Sequence, residues 1–206
     1  MTINKIAAVI PVKSLHSAKS RLSPFLTLQQ RKNLALLLLN ATIKTVKASR
    51  FVSDIIVVSS DNIIEYLSFK NSLKFIKDAD NGVNNAVILA DRYCIENEID
   101  ANIVIPNDIP FLSFRSIDQI CIISEKYSKC IIICPSKRFD GTNILLRKPP
   151  GVIKTFYDNN SYANHLKEAK KLNIPIESLD YANLRFDIDT KEDLIEFLYS
   201  NSENPF

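Results

Sequence analysis

Asp108 stands between two prolines in the run I-V-I-P-N-D-I-P-F-L over residues 103–112. Ile103, Val104 and Ile105 form an unbroken β-branched series, the pattern of a central parallel strand covered on both faces. Pro106 ends that strand, because proline has no N–H to give to a sheet ladder. A carboxylate just past the carboxyl end of a central strand sits where open α/β sheets bind ligands, and such groups hold Mg²⁺ against substrate phosphates. Asp is equally suited to capping the turn into a following helix, so the local sequence leaves both roles open.

Other groups of the same chemical kind occur elsewhere. Lys13, Lys19 and Arg21 lie in the loop 11–24, spaced by small serine and alanine residues between an apolar strand and a long helix. Strand, basic loop and helix together make a phosphate cradle, or else a solvated surface connection. Asp187 and Asp189 are one strand-period apart and can face the same side. Ser161 and His165 are one turn apart on a helix expected over 160–172. With only two histidines, the chain shows no convincing nucleophile–base pair. That inventory suits attack by a phosphate monoester, whose second pKa of about 6 leaves it a dianion that needs no general base. The protein then has only to align two reactants and neutralise charge. His165 is read as either a packed, hydrogen-bonded histidine or a contact to substrate, and His16 as exposed.

Composition narrows the class. The chain has 206 residues, 46% apolar and 24% charged, enough for one domain with a full core. A net charge of +3, spread along the chain, is too weak for a nucleic-acid footprint but suits small polyanions. Cys94, Cys121, Cys130 and Cys134 lie in apolar surroundings without the close pairing of a metal site, and are expected to be buried reduced thiols. The N-terminal residues run into a strand and a proline before a signal-peptide core could form, and no apolar run reaches the ~20 residues of a membrane span. A soluble cytoplasmic protein is expected, with a homodimer compatible with the sequence.

The spacing predicts alternating strands and helices: strands over 6–10, 54–60, 73–76, 103–105 and 130–134, with helices from Thr27 to about 49 and over 62–70, 84–97 and 114–127. The first long helix opens with a capping box, Thr27 and Gln30. The alternation then breaks down. A turn at Gly141 enters a short strand, followed by the helix 160–172 and a late strand near 175–179. A final helix starts at Thr190, with Asp193 as capping partner. No repeat or linker appears, so residues 1–206 are read as a single domain with 200–206 as a frayed tail.

Taken in order, V-I-P-V-K-x₄-A-K-S-R-L, S-S-D, G-V-N-N-A, P-N-D-I-P, G-T-N-x-L, S-Y-A-N-H and D-I-D-T-x-x-D-L resemble the 2-phospho-L-lactate guanylyltransferases of coenzyme F-420 biosynthesis. The resemblance spans almost the whole chain. It implies a three-layer Rossmann-like nucleotidyltransferase of GT-A-like type, with a mixed, mostly parallel sheet and helices on both faces. It further implies GTP as donor, Mg²⁺ as cofactor, and a small phosphorylated carboxylic acid as acceptor. By the same resemblance Lys13, Lys19 and Arg21 hold the triphosphate, and Gly82 and Asn84 lie near the guanine. Asp108 binds metal together with Asp187 or Asp189, while Thr142, Asn143 and Ser161 line the acceptor pocket. The chain departs from the pattern at Tyr157, where relatives often carry glycine, and at Asn107, where a smaller residue is common. Phosphoenolpyruvate and 3-phosphoglycerate remain alternative acceptors. Another nucleotidyltransferase of the same fold and a non-enzymatic nucleotide sensor are the competing classes. The first would carry a glycine-rich opening loop, which is absent here, and the second would not need the Asp187/Asp189 pair.

Overall fold

A computed structural model describes residues 5–203. Its strands are β1 (Ile6–Pro11), β2 (Val52–Ser59), β3 (Lys74–Lys77), β4 (Ala101–Val104), β5 (Cys130–Pro135), β6 (Thr142–Lys148) and β7 (Ile176–Ser178). They form one sheet in the order β3-β2-β1-β4-β6-β5-β7. Only β6 runs against its neighbours, pairing antiparallel with both β4 and β5, while the other pairs are parallel. The sheet is therefore mixed and mostly parallel.

The strands need cover on both faces because their apolar runs do not alternate with polar residues. β1 shows this directly. Ile6, Ala8 and Ile10 pack in one cluster with α1 (Leu28–Lys47), α2 (Asn62–Lys70) and α4 (Phe114–Ser124), whereas Ala7 and Val9 pack with α3 (Val83–Glu96) on the other side. α5 (Ser161–Lys171) extends the second face over Ile131, Ile133 and Leu145. The short α6 (Ala182–Arg185) adds Leu184 to the first cluster, and α7 (Lys191–Glu203) packs Leu194 and Phe197 in a smaller cluster with Leu22 and Phe186. Burying a leucine or isoleucine contributes about 1.5–3 kcal/mol, so these layers hold the sheet together.

A buried ion pair braces the second face. Asn102 and Arg147 are partners across β4 and β6, and the Arg147 side chain is 1% exposed. Its guanidinium forks onto Asp91 of α3 and reaches Asn102 Oδ1 at 3.1 Å. Removing one partner would strand a charge in the interior, which costs about 3–5 kcal/mol.

The capping box forms as the sequence predicts: Thr27 N–H donates to Gln30 Oε1 at 2.9 Å, and Gln30 N–H donates to Thr27 Oγ1. β2 begins at Val52, two residues before the expected start. A 3₁₀ turn at Ser20–Leu22 and the four-residue α6 are additions, both too short to leave a periodic signal. α7 runs to Glu203, and residues 204–206 of the tail expected to fray lie outside the described residues.

β5 and β6 carry an irregularity next to the cleft. Cys134 pairs with Ile144 and Pro135 with Thr142, so Asn143 is an extra residue on β6. Bulges of this kind bend a strand and re-aim its side chains. Gly141 precedes it, close against Ser136: a Cβ at Gly141 would meet Ser136 Oγ at 3.0 Å.

Candidate active site

The carboxyl ends of β1, β4 and β5 open onto a cleft of about 1080 Å³, and the reversed β6 brings its first residues to the same edge. This is the edge at which doubly wound sheets bind ligands. Had β6 run parallel, Thr142 and Asn143 would lie at the opposite edge of the sheet.

At one end of the cleft, the Lys19 ammonium lies between two carboxylates and a backbone carbonyl. It donates to Asp108 Oδ2 at 2.9 Å, to the Ile188 carbonyl at 2.6 Å and to Asp189 Oδ1 at 3.4 Å. An ammonium has three N–H donors, so Lys19 is fully committed. Burial opposes its charge, but Asp108 and Asp189 outweigh that penalty and hold the ammonium above its ordinary pKa. This differs from the expectation that Lys19 grips a triphosphate directly; its side chain is 8% exposed and turned inward. Lys19 itself has left-handed backbone, φ 50°, which directs the chain into the 3₁₀ turn.

Arg21 is the outward cation, 73% exposed, with Nη1 2.9 Å from Asp189 Oδ2. Lys13 lines the cleft and makes no ion pair among the described residues. Asp187 has neither cation at hydrogen-bonding distance. Burial first, then repulsion from Asp108 and Asp189, pushes its carboxyl up to about 6. Two backbone ties hold this end in place: Ile188 N–H donates to the Asp108 carbonyl, and Asp193 accepts from the N–H groups of Asp189 and Thr190.

Among the described residues no group of three or more histidine, cysteine, aspartate or glutamate side chains forms a closed metal cage. Mg²⁺ does not require one, because it is usually held by one or two carboxylates with substrate phosphates and water completing the shell. Hard carboxylate oxygens on a cleft, one of them destabilised for want of a cation, fit that mode.

The candidate side chains toward the other end of the cleft are uncharged, although Lys137, Arg138, Asp140 and Asp158 share the cleft lining. Thr142, Asn143 and Ser161 are all buried beside it. Asn143 gives its amide to the Leu184 carbonyl at 2.8 Å and approaches Asp187 only at 3.5 Å, so it joins the two ends structurally. Ser161 opens α5, whose N-cap, Asn160, has left-handed backbone and provides no side-chain cap. The first-turn N–H groups thus lack intrahelical acceptors at the rim of the cleft, and the helix dipole favours an anion there. The Ser161 hydroxyl makes no hydrogen bond among the described residues.

Two further expectations are refined. Gly82 begins α3 with φ +86° and nothing within 4 Å of where a Cβ would stand, so its backbone conformation demands glycine and its surroundings do not. Asn84 does not line the cleft; its side chain accepts from Tyr157 N–H at 2.9 Å and donates to Asp158 at 2.8 Å, tying α3 to the loop before α5. Sequence reading missed the partners of His165, which no spacing rule reveals. All four cysteines are free and buried, and burial pushes their thiols up to about 11–12. None of the described helices is long and apolar enough to cross a membrane.

A mixed, mostly parallel sheet with a charged cleft at its carboxyl edge is a Rossmann-like α/β fold. The fold is shared with a Desulfovibrio desulfuricans protein described as a nucleotide-diphospho-sugar transferase (TM-score 0.80, 14% identity, 98% of this chain and 90% of that one). It is shared also with 4-diphosphocytidyl-2C-methyl-D-erythritol synthase from Anaerococcus prevotii (TM-score 0.66, 15% identity, 98% and 97%). Residues 6–204 match the family described as "Guanylyl transferase CofC like", and the chain belongs to that family. It is 39% identical to 2-phospho-L-lactate guanylyltransferase from Methanocaldococcus jannaschii over 201 residues, 96% of this chain and 84% of the relative. It is 29% identical to phosphoenolpyruvate guanylyltransferase from Sphaerobacter thermophilus over 190 residues, 92% and 90%.

Proposed function

We propose that this enzyme transfers GMP from GTP to a small phosphorylated carboxylic acid, 2-phospho-L-lactate first and phosphoenolpyruvate or 3-phosphoglycerate as alternatives, releasing pyrophosphate. The observation that carries this reading is one cleft that holds both the cluster of Lys19, Arg21, Asp108, Asp187 and Asp189 and a separate set of uncharged donors at Thr142 and Ser161. A triphosphate needs cations, which Arg21 and Lys13 present. A short acid with a carboxylate and a phosphate can be held by two hydroxyls and helix N–H groups, which Thr142, Ser161 and α5 present.

In the reaction, a phosphate oxygen of the acceptor attacks the α-phosphorus of GTP. The bond from that phosphorus to the bridging β-oxygen breaks, and its electron pair leaves with pyrophosphate. No proton needs to move, because the acceptor phosphate is already mostly a dianion. Mg²⁺, when bound, neutralises phosphate charge and orients the leaving group. Asp108 and Asp187 would hold it: both oxygens of Asp189 are taken by Lys19 and Arg21, Asp108 meets Lys19 through Oδ2 alone, and Asp187 has no cation at hydrogen-bonding distance. Lys19 holds Asp108 and Asp189 in register until the substrates arrive. A cytoplasmic site of action accords with four reduced cysteines and with GTP as co-substrate.

The deciding experiment combines the protein, GTP and Mg²⁺ with each of the three acceptors, and reads pyrophosphate release and product mass. A GMP adduct with one acceptor supports the proposal. Absence of pyrophosphate with every acceptor would sink it.

A further inference from the structure

His165 lies 23 residues from Thr142 in sequence, yet the two side chains meet: Thr142 Oγ1 and His165 Nδ1 are 3.0 Å apart. The other ring nitrogen, Nε2, is 2.9 Å from Phe156 N, a backbone amide that can only donate. Nε2 therefore has to be the acceptor, and in a neutral imidazole the proton then sits on Nδ1. Nδ1–H in turn donates to Thr142 Oγ1. With its oxygen already receiving a proton, the Thr142 hydroxyl has its own hydrogen left to give, and no other partner among the described residues takes it. Thr142 lines the cleft, so that hydrogen is available to a ligand.

We infer that His165 is a positioning residue that holds the Thr142 hydroxyl as an obligate donor to an anionic oxygen of the acceptor. This rests on the acceptor half of the proposed function. The relay runs from a fixed backbone amide through a fixed ring to one rotatable hydroxyl, so only one orientation satisfies every member. Its surroundings keep it neutral. His165 is fully buried, with the Tyr157 and Phe156 rings edge-on at 5.2 and 6.0 Å. Burial first, and then the Arg147 guanidinium, lower its pKa to about 4. A freely rotating threonine would serve acceptors and donors alike. The locked one favours carboxylate or phosphate oxygen over a hydroxyl group offered as a donor.

Four variants and one spectrum test this. Thr142→Val removes the donor and should raise the acceptor KM roughly tenfold to a hundredfold, leaving the GTP KM in place. His165→Gln reaches only the Nε2 position, so it should match that loss. His165→Asn offers an amide N–H at the Nδ1 position and should restore the acceptor KM to within a few-fold of the parent. Because His165 acts through Thr142, the double variant Thr142→Val/His165→Gln should be no worse than Thr142→Val alone. Multiplying effects, or equal damage from Asn and Gln, overturns the inference. An unchanged acceptor KM in Thr142→Val overturns it too, while wild-type GMP transfer to the acceptor still supports the broader function. Should the histidine variants fail to fold, ¹⁵N-imidazole spectra of the unaltered protein decide. A neutral Nδ1–H tautomer between about pH 5 and 8 supports the relay, and an Nε2–H tautomer overturns it.

Discussion

Lys19, Arg21, Asp108, Asp187 and Asp189 meet at one end of the cleft as groups able to carry full charges, whereas Thr142, Ser161 and His165 meet at the other as neutral ones. Burial acts on both ends, and with opposite results. It pushes the Asp187 carboxyl up to about 6, leaving a carboxylate that gains from any arriving cation. It pushes His165 down to about 4, leaving a neutral ring already satisfied by Phe156 and Thr142. The first end is incomplete without ligand and the second is assembled beforehand. Substitutions should therefore separate them: changes at the charged end disturb turnover and nucleotide, and changes at the neutral end disturb the acceptor and spare the nucleotide.

Asp108→Asn should show the largest effect. It keeps the side-chain shape but removes charge from the carboxylate assigned to Mg²⁺, and should cost several kcal/mol of transition-state stabilisation. Steady-state kcat at fixed Mg²⁺ measures this; near-normal turnover would remove the metal from this residue. Arg21→Ala comes next. Loss of a charge-assisted phosphate contact should raise the GTP KM by about tenfold or more and spare the acceptor KM. A shift in the acceptor KM alone would mean that the two ends have been assigned the wrong way round.

Asp108 and the basic loop were legible in sequence because they depend on local rules. An apolar strand followed by proline and aspartate names its own carboxyl end, and basic residues between a strand and a capped helix fall at that same edge of the sheet. Thr142 and His165 each stand in a recognisable motif, but their pairing depends on β6 reversing and α5 packing back over it, which no local period encodes. Lys19 shows the same limit from the other side. Its charge was evident, but its inward turn depends on a contact to Asp189 across 170 residues of sequence. The family resemblance puts Asn84 near the base, and its bonds to Tyr157 and Asp158 come from a loop more than 70 residues away.

Ser161→Ala sharpens the contrast at a smaller scale. The acceptor KM should rise roughly tenfold, as expected for losing one hydrogen bond to a charged group, while the GTP KM holds. The melting temperature should hold too, since Asn160, not Ser161, occupies the N-cap position. A drop in melting temperature with both KM values intact would reduce Ser161 to a structural role.

The smallest effects are in stability. A carboxyl raised from 3.8 to about 6 is bound by more protons in the folded than in the unfolded state, so stability falls as pH rises through that window. Asp187→Asn should therefore stabilise the ligand-free protein at neutral pH, by on the order of 1–2 kcal/mol and a few degrees in melting temperature, while lowering transfer activity. His165 has the opposite sign: its folded pKa is depressed, so its contribution is present above about 6.5 and lost as pH falls toward 4. Melting curves from pH 4 to 7 on Asp187→Asn and His165→Asn should diverge from the parent in opposite directions. Parallel curves would mean that the two ends do not differ as described.

The bulge at Asn143 works as a slip joint. Beyond it, Ile144, Leu145 and Leu146 keep strict register with β5, and Arg147 pins the far end through Asp91. Ahead of it lie only Thr142 and the tight tip formed by Ser136, Asp140 and Gly141. Lengthening or reshaping that tip should therefore strain the Thr142–His165 contact before it disturbs the core of the strand. The same freedom does not exist at the other end, where Lys19 ties the first loop of the chain to Asp108 and to the approach to its last helix. Sequence change at the tip is thus expected to reach Thr142 before it reaches the Lys19–Asp108 tie.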